Sequence, residues 1–315
     1  MENSNYSEIA EFILVGFSEV KEIRLFLFLM FLLSYALTVL GNMTIIVAYS
    51  LTQKLHNPMY FCLSNFSFLD ICYVSATVPK TLSNLLAEDK TISFYGCALQ
   101  MYCVLLMGGT ECYMLAAMAY DRYNAICYPL LYSTIMTRRA CILLIAGSWI
   151  IGALNSLIHT VLAFTLPFCS HKINHFFCDV PPLLKLSCTD TFTNEIFVFL
   201  VAGCVIVGSC ILTIISYIHI ISTILSIRSH LGRKKAFSTC TSHLTVVAIF
   251  YGSAIFMYFR PKSRYAKYQE RLVSVMYTII APMLNPFIYS LRNNDVKAAV
   301  RNVLPRIIGT HRHKL

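Results

Sequence analysis

The chain has 315 residues, of which 57% are hydrophobic and only 13% charged, with a formal net charge of +10. Soluble domains carry about 25% charged residues, so this composition belongs in a bilayer, where a spanning helix needs roughly 20 mainly apolar residues. The positive charge does not make nucleic acid a partner, because the basic residues flank apolar runs and form no basic domain of their own.

In chain order, the apolar runs predict spanning helices at about Leu25–Tyr49, Met59–Leu86, Cys97–Cys127, Ala140–Phe164, Ile196–Ile227, Ala236–Phe259 and Leu272–Leu291. No cleavable signal peptide is expected: Glu2, Glu8, Glu11 and Glu19 give the wrong charge, and the first run is too long for a signal core. Asp295–Leu304 alternates Val296, Ala299, Val300 and Val303 with Lys297 and Arg301, which predicts a short amphipathic helix on the membrane surface. The fold class is therefore an all-α membrane protein, a seven-transmembrane helix bundle with a short cytosolic amphipathic helix. Its parts are an extracellular tail (1–24), the bundle (25–291) and a cytosolic tail (292–315). No internal repeat of the kind found in many transporters is evident.

Charge sets the expected orientation. The N-terminal tail is acidic, while Arg138, Arg139, Arg233, Lys234 and Lys235 flank loops on the opposite side. The loop carrying Arg260, Lys262, Arg264, Lys267 and Arg271 works against this, but the early signal places the N-terminus outside and the C-terminus in the cytosol. Asn5-Tyr6-Ser7 is then a usable glycosylation sequon in an exposed tail. Of 13 cysteines, Cys97, Cys169, Cys178 and Cys188 fall on the outer side. An even set in an oxidising compartment suggests two disulfides, and four cysteines allow three pairings.

Polar residues inside spans are costly and need an explanation. Asn42, Asp70, Glu111 and Asn285 lie in the first, second, third and seventh spans. Two buried carboxylates near one another require a proton or a cation between them. Asp70 and Glu111 are thus either a site for a small cation such as sodium or members of a hydrogen-bonded packing cluster. Pro286 removes a backbone hydrogen bond from the seventh span and bends it beside Asn285 and Tyr289.

Met118-Ala119-Tyr120-Asp121-Arg122-Tyr123-Asn124-Ala125-Ile126-Cys127 closes the third span. It resembles the Asp-Arg-Tyr segment of rhodopsin-like G-protein-coupled receptors, and in its longer form the olfactory receptor branch. Further strings resemble the same branch: Gly41-Asn42, Pro58-Met59-Tyr60-Phe61, Leu63 through Asp70, Trp149, Lys234 through Leu244, and Pro282-Met283-Leu284-Asn285-Pro286. Asn124 and Tyr128 depart from the valine and histidine usual there. The sixth span has Phe250-Tyr251-Gly252 and no proline, as expected of this branch.

The resemblance implies an odorant receptor, not an enzyme, in the plasma membrane. Its partners would be a small, mostly apolar odorant and a stimulatory heterotrimeric G protein that raises cyclic AMP. It pairs Cys97 with Cys178 and Cys169 with Cys188. It implies that Asp121 restrains Arg122 at rest, that Tyr123 belongs to the same motif, and that Tyr217, Asn285, Pro286 and Tyr289 take part in activation. It strengthens sodium at Asp70 and Glu111; no other cofactor is expected. With helical spacing, it places ligand contacts at Val104, Leu105, Gly108, Gly109, Cys112, His159, Ala202, Val205, Ile206, Tyr251, Ile255, Tyr258, Ser274, Tyr277 and Thr278. The rival readings are the same fold sensing a metabolite outside the olfactory epithelium, and an ion channel or transporter with Asp70 and Glu111 on its path.

Overall fold

The computed structural model describes residues 10–17, 20–258, 266–292 and 296–299, without the side chains of 235, 239, 257–258, 266–270 and 290–292. Among the described residues, seven helices are long and apolar enough to cross a membrane. They are α1 (Lys21–Leu51), α2 (Pro58–Leu86), α3 (Phe94–Cys127), α4 (Arg138–Phe164), α5 (Phe192–Ser226), α6 (His230–Tyr258) and α7. The last is composite: Ala266–Val275, a π-helical turn Met276–Ile280, then Ala281–Arg292. All seven predicted spans are present, with ends displaced by a few residues.

Local sequence sets the helix starts. Asn57 accepts a hydrogen bond from the Tyr60 amide and Pro58 occupies the first turn, where no backbone donor is needed. Ser93 caps α3 through the Gly96 amide, and Thr137 caps α4 through the Ala140 amide. The apolar side chains of α1 and α5 point largely outward, as the lipid-facing members of a bundle must.

Helix α3 runs through the middle, packed on α2, α4 and α5. Glycine decides the closest approaches. A Cβ on Gly152 of α4 would meet Thr110 of α3 and lie 2.7 Å from the Leu106 carbonyl; one on Gly41 of α1 would lie 2.9 Å from Pro286 of α7. Small residues let membrane helices meet backbone to backbone, where dispersion replaces the absent hydrophobic effect.

One end of the bundle is covered by a feature that the predicted tail at 1–24 did not anticipate. Residues Glu11–Leu14 form β1, the centre of a three-stranded sheet. It pairs antiparallel with β2 (Thr91–Ser93) and parallel with β3 (Lys172–Ile173). Phe12 and Leu14 point into a small core with Met101, Ile173 and Leu183. The alternation of Phe12 and Leu14 with Glu11 and Ile13 was the available signal. Disulfides Cys97–Cys178 and Cys169–Cys188 fasten this cap, the pairing that the family resemblance implied. Residues 296–299 are helical, with Val296 and Ala299 buried. The rest of the amphipathic segment, Asn5, Arg260 and Lys262 lie outside the described residues.

Candidate functional site

Beneath the cap, α3, α4, α5 and α6 enclose a cavity of about 270 Å³. Val104, Leu105, Gly108, Gly109 and Cys112 of α3, His159 of α4, Ala202, Val205 and Ile206 of α5, and Tyr277 of α7 all line it. Sequence reasoning missed Tyr73, Asn155, Val198, Phe250, Ala254 and the loop residues Asp179, Val180 and Pro181. The loop had a readable signal: a bond from Cys178 to α3 leaves its successors over the top of that helix. Gln100 strengthens the join, accepting from the Cys178 amide at 3.0 Å and donating to the Ala76 carbonyl at 3.0 Å.

Four expected contacts need correction. Ile255 is 49% exposed and faces away from the bundle, while Phe250 and Ala254 of the same helix face the cavity. The Tyr251 hydroxyl lies 2.9 Å from Ser209 Oγ and 3.2 Å from the Cys112 carbonyl, its single proton serving one of them, so it closes the floor beneath the lining. Ser274 and Thr278 are buried in the wall: Thr278 donates to the Ser274 carbonyl, and the Tyr277 hydroxyl donates to Ser274. Thr278 lies within the π turn Met276–Ile280, where spacing by 3.6 residues no longer holds, whereas Ser274 lies in the α-helix before it. The Tyr258 side chain lies outside the described residues.

The glycine pair is also unequal. Gly108 is open towards the Tyr73 hydroxyl, whereas a Cβ on Gly109 would lie 3.1 Å from the Gly152 Cα. Gly108 therefore leaves room in the cavity, and Gly109 chiefly lets α4 approach. His159 is held before any ligand arrives: Nδ1 lies 2.7 Å from the Asn155 carbonyl and Nε2 3.2 Å from the Val198 carbonyl. A neutral imidazole has one N–H, so only one of these carbonyls can receive it.

Towards α7 the cap is fixed by Arg271 and His175. Arg271 donates to the Gly16 carbonyl at 2.5 Å and to the Asn174 carbonyl at 3.2 Å. His175 Nε2 lies 3.2 Å from Ser274 Oγ, and its ring stacks on Phe176. Burial, aided by the Arg271 charge, pushes the His175 imidazole down to about 3.

Midway along the bundle lies a buried polar cluster. The Asn285 amide donates to both Asp70 oxygens, at 3.2 and 3.0 Å. Asn42 donates to the Pro282 carbonyl at 3.3 Å, fixing α1 to the bend of α7. Both Glu111 carboxylate oxygens are buried without a hydrogen-bond partner among the described residues.

At the opposite end from the cap, Asp121 accepts from Tyr132 at 2.7 Å, and Arg122 is 7% exposed. The Tyr217 hydroxyl meets His243 Nδ1 at 2.7 Å, both buried. Arg122 lies within electrostatic range of Tyr217, His243 and Tyr289. Tyr289 packs edge-on against Phe66, its hydroxyl buried without a hydrogen-bond partner among the described residues. The partner of His243 is shown by the α5–α6 contact and by nothing in its own segment. Tyr123 lies on the flank, against His219 and Tyr128.

Comparison with known proteins matches these features. The family model described as "Olfactory receptor" covers residues 31–306. Human olfactory receptor 5I1 is 52% identical over 301 residues, covering 95% of this chain and 96% of that protein. Human olfactory receptor OR9H1 is 49% identical over 304 residues, covering 96% and 99%. Gorilla olfactory receptor 1G1 is 50% identical over 305 residues, covering 96% and 97%. Squid rhodopsin, at 16% identity, shares the fold with a TM-score of 0.72 over 93% of this chain and 84% of its own. With a family match over residues 31–306 and a rhodopsin-like bundle of seven helices, the chain belongs to the olfactory receptor family of G-protein-coupled receptors.

Proposed function

We propose that this receptor detects a small, mostly apolar, volatile odorant in the capped cavity and activates a stimulatory heterotrimeric G protein, raising cyclic AMP. The observation that carries the ligand class is the cavity itself: about 270 Å³, lined mainly by aliphatic side chains, with Tyr73, Asn155, His159, Tyr277 and, from the loop, Asp179 supplying the few polar groups. Such a site rewards apolar shape and one well-placed polar group. The proposed topology puts the cap and Asn5 outside the cell and residues 292–315 in the cytosol, with Asn5 glycosylated and the receptor in the plasma membrane.

The rest of the bundle supports a route from cavity to G protein. Cys112 lines the cavity, and the Tyr251 hydroxyl lies within hydrogen-bond reach of its carbonyl and of Ser209 of α5. Tyr217 lies two turns further along α5, bonded to His243 of α6 beside Arg122. A ligand that binds one arrangement of α5 and α6 better than another shifts the population between them, and by no more than that difference in affinity. Asp121, Arg122, Tyr123, Tyr217 and Tyr289 are the residues assigned to the G-protein face, with Asn285 and Pro286 at the bend.

A sodium ion fits the central cluster. Among the described residues, Glu111 offers two buried oxygens that have no donor, and Asp70 has only the Asn285 amide. Asp70 and Glu111 would hold the ion, whose charge would offset the two carboxylates.

Ala202→Phe tests the ligand assignment by filling the cavity from α5. At matched surface expression, responses to every active odorant should fall. Unchanged dose–response curves would remove the odorant from this cavity.

A further inference from the structure

The surroundings of the His159 ring are one proton short. Its Nδ1 lies 2.7 Å from the Asn155 carbonyl and its Nε2 3.2 Å from the Val198 carbonyl, with the residue 2% exposed. A neutral imidazole carries one N–H, so its other nitrogen presents a lone pair to an oxygen that is also an acceptor. The shorter contact keeps the proton on Nδ1, within the turn of α4. Nε2 and the Val198 carbonyl of α5 then face each other as two acceptors with no proton between them, and both residues line the odorant cavity. We propose that the odorant is an alcohol, whose hydroxyl donates to His159 Nε2 and supplies the missing proton. This rests on the reading of the capped cavity as the odorant site and names the chemical class that the site takes.

The rest of the lining agrees. Asn155 stands one turn before His159 on α4, lines the same cavity and is 8% exposed; its Oδ1 is buried with no hydrogen-bond partner among the described residues. It is a second acceptor on the same wall, about 6 Å from His159 by helical spacing. An ether, ester or ketone brings only acceptors and leaves the Nε2–carbonyl pairing as it stands. A hydroxyl removes it, and a buried acceptor left without a donor is costly enough to separate the two kinds of ligand.

Charge excludes the acids. The lining holds no Lys or Arg, and its carboxylate, Asp179, accepts from the Val180 amide at 2.8 Å. A carboxylic acid would enter as an anion beside a like charge, with no Lys or Arg to receive it, and burying an unpaired charge is unfavourable. The two lining phenols leave this choice unaltered. The Tyr277 hydroxyl donates to Ser274, and the Tyr73 hydroxyl beside Gly108 can donate or accept. The hydrocarbon part of the alcohol packs on Val104, Val205 and Ile206.

The test presents each of several hydrocarbon skeletons as the alcohol, its methyl ether, the aldehyde, the carboxylic acid and the primary amine. Cyclic AMP is read in cells expressing the full-length receptor at matched surface levels. For every skeleton that activates, the alcohol should be about tenfold more potent than the methyl ether, the effect of one buried hydrogen bond. His159→Phe should bring that ratio to about one. A merely structural role for His159 would weaken both compounds alike and leave the ratio unchanged, which would overturn the proposal. The series in the unaltered receptor keeps the test decisive if the variant does not reach the surface. Equal potency of alcohol and ether, a preference for the aldehyde, the acid or the amine, or a panel with no active alcohol would each overturn it. Ala202→Phe separates the two claims. Curves that it leaves unmoved remove the odorant from this cavity, whereas curves that fall while alcohol and ether stay equally potent refute the alcohol assignment alone.

Discussion

The Tyr217 hydroxyl and His243 Nδ1 lie 2.7 Å apart, their rings 16° from parallel, in a buried contact joining α5 to α6 beside Arg122. With Arg122 buried, this contact belongs to a closed arrangement of the bundle end. Replacing one partner leaves a buried polar group unsatisfied, at a cost of about 1–3 kcal/mol to that arrangement. His243→Leu should therefore raise ligand-independent cyclic AMP at equal surface expression. Tyr217→Phe should act in the same direction. The double variant should add little to either, because both remove one interaction. Additive effects in cells expressing the three variants would show that the residues act separately.

Gly108 and Gly109 should separate binding from folding. Gly108→Ala meets only the Tyr73 hydroxyl at 3.6 Å, so surface expression should persist while odorant potency changes. Gly109→Ala presses on the Gly152 backbone, and Gly152→Ala on the Leu106 carbonyl and Thr110. Overpacking of this kind costs about 1–3 kcal/mol. Surface immunostaining should fall for both of the latter variants, most for Gly152→Ala.

Glu111→Gln and Asp70→Asn test the ion. The purified receptor should melt at a higher temperature in sodium chloride than in a chloride salt of a bulky organic cation. Both substitutions should remove that difference. A sodium effect that survives in both variants would place the ion elsewhere.

The cap should weaken in acid. His175 stays neutral in the folded cap down to about pH 3, whereas the unfolded imidazole takes up a proton near 6.5. Stability is therefore complete above about pH 6.5 and falls as pH drops from there towards 3, by at most about 1.4 kcal/mol per pH unit. Hydrogen exchange in β1 and β3 should accelerate between pH 7.4 and 5.5, and His175→Phe should flatten that dependence.

Long apolar runs made the seven helices legible, because in lipid the backbone has few other ways to satisfy its hydrogen bonds. The polar positions Asn42, Asp70, Glu111 and Asn285 were legible for the same reason: each is expensive where it stands. What needed coordinates was rotation and partnership. Thr278 falls within a π turn, and 3.6-residue spacing could not separate Ile255 from Ala254. Tyr217 and His243 are 26 residues apart on different helices, and nothing in either segment announces the other. The strand at Glu11–Leu14 was hidden for a related reason, since its partners lie near residues 92 and 172.

The most direct test of the account is cyclic AMP in cells expressing this receptor at confirmed surface levels across a panel of volatile compounds, with Arg122→Ala alongside. The account predicts a response to at least one small apolar compound that is lost in Arg122→Ala at equal surface expression. An odorant-evoked ion current that persists in Arg122→Ala and needs no G protein would contradict it.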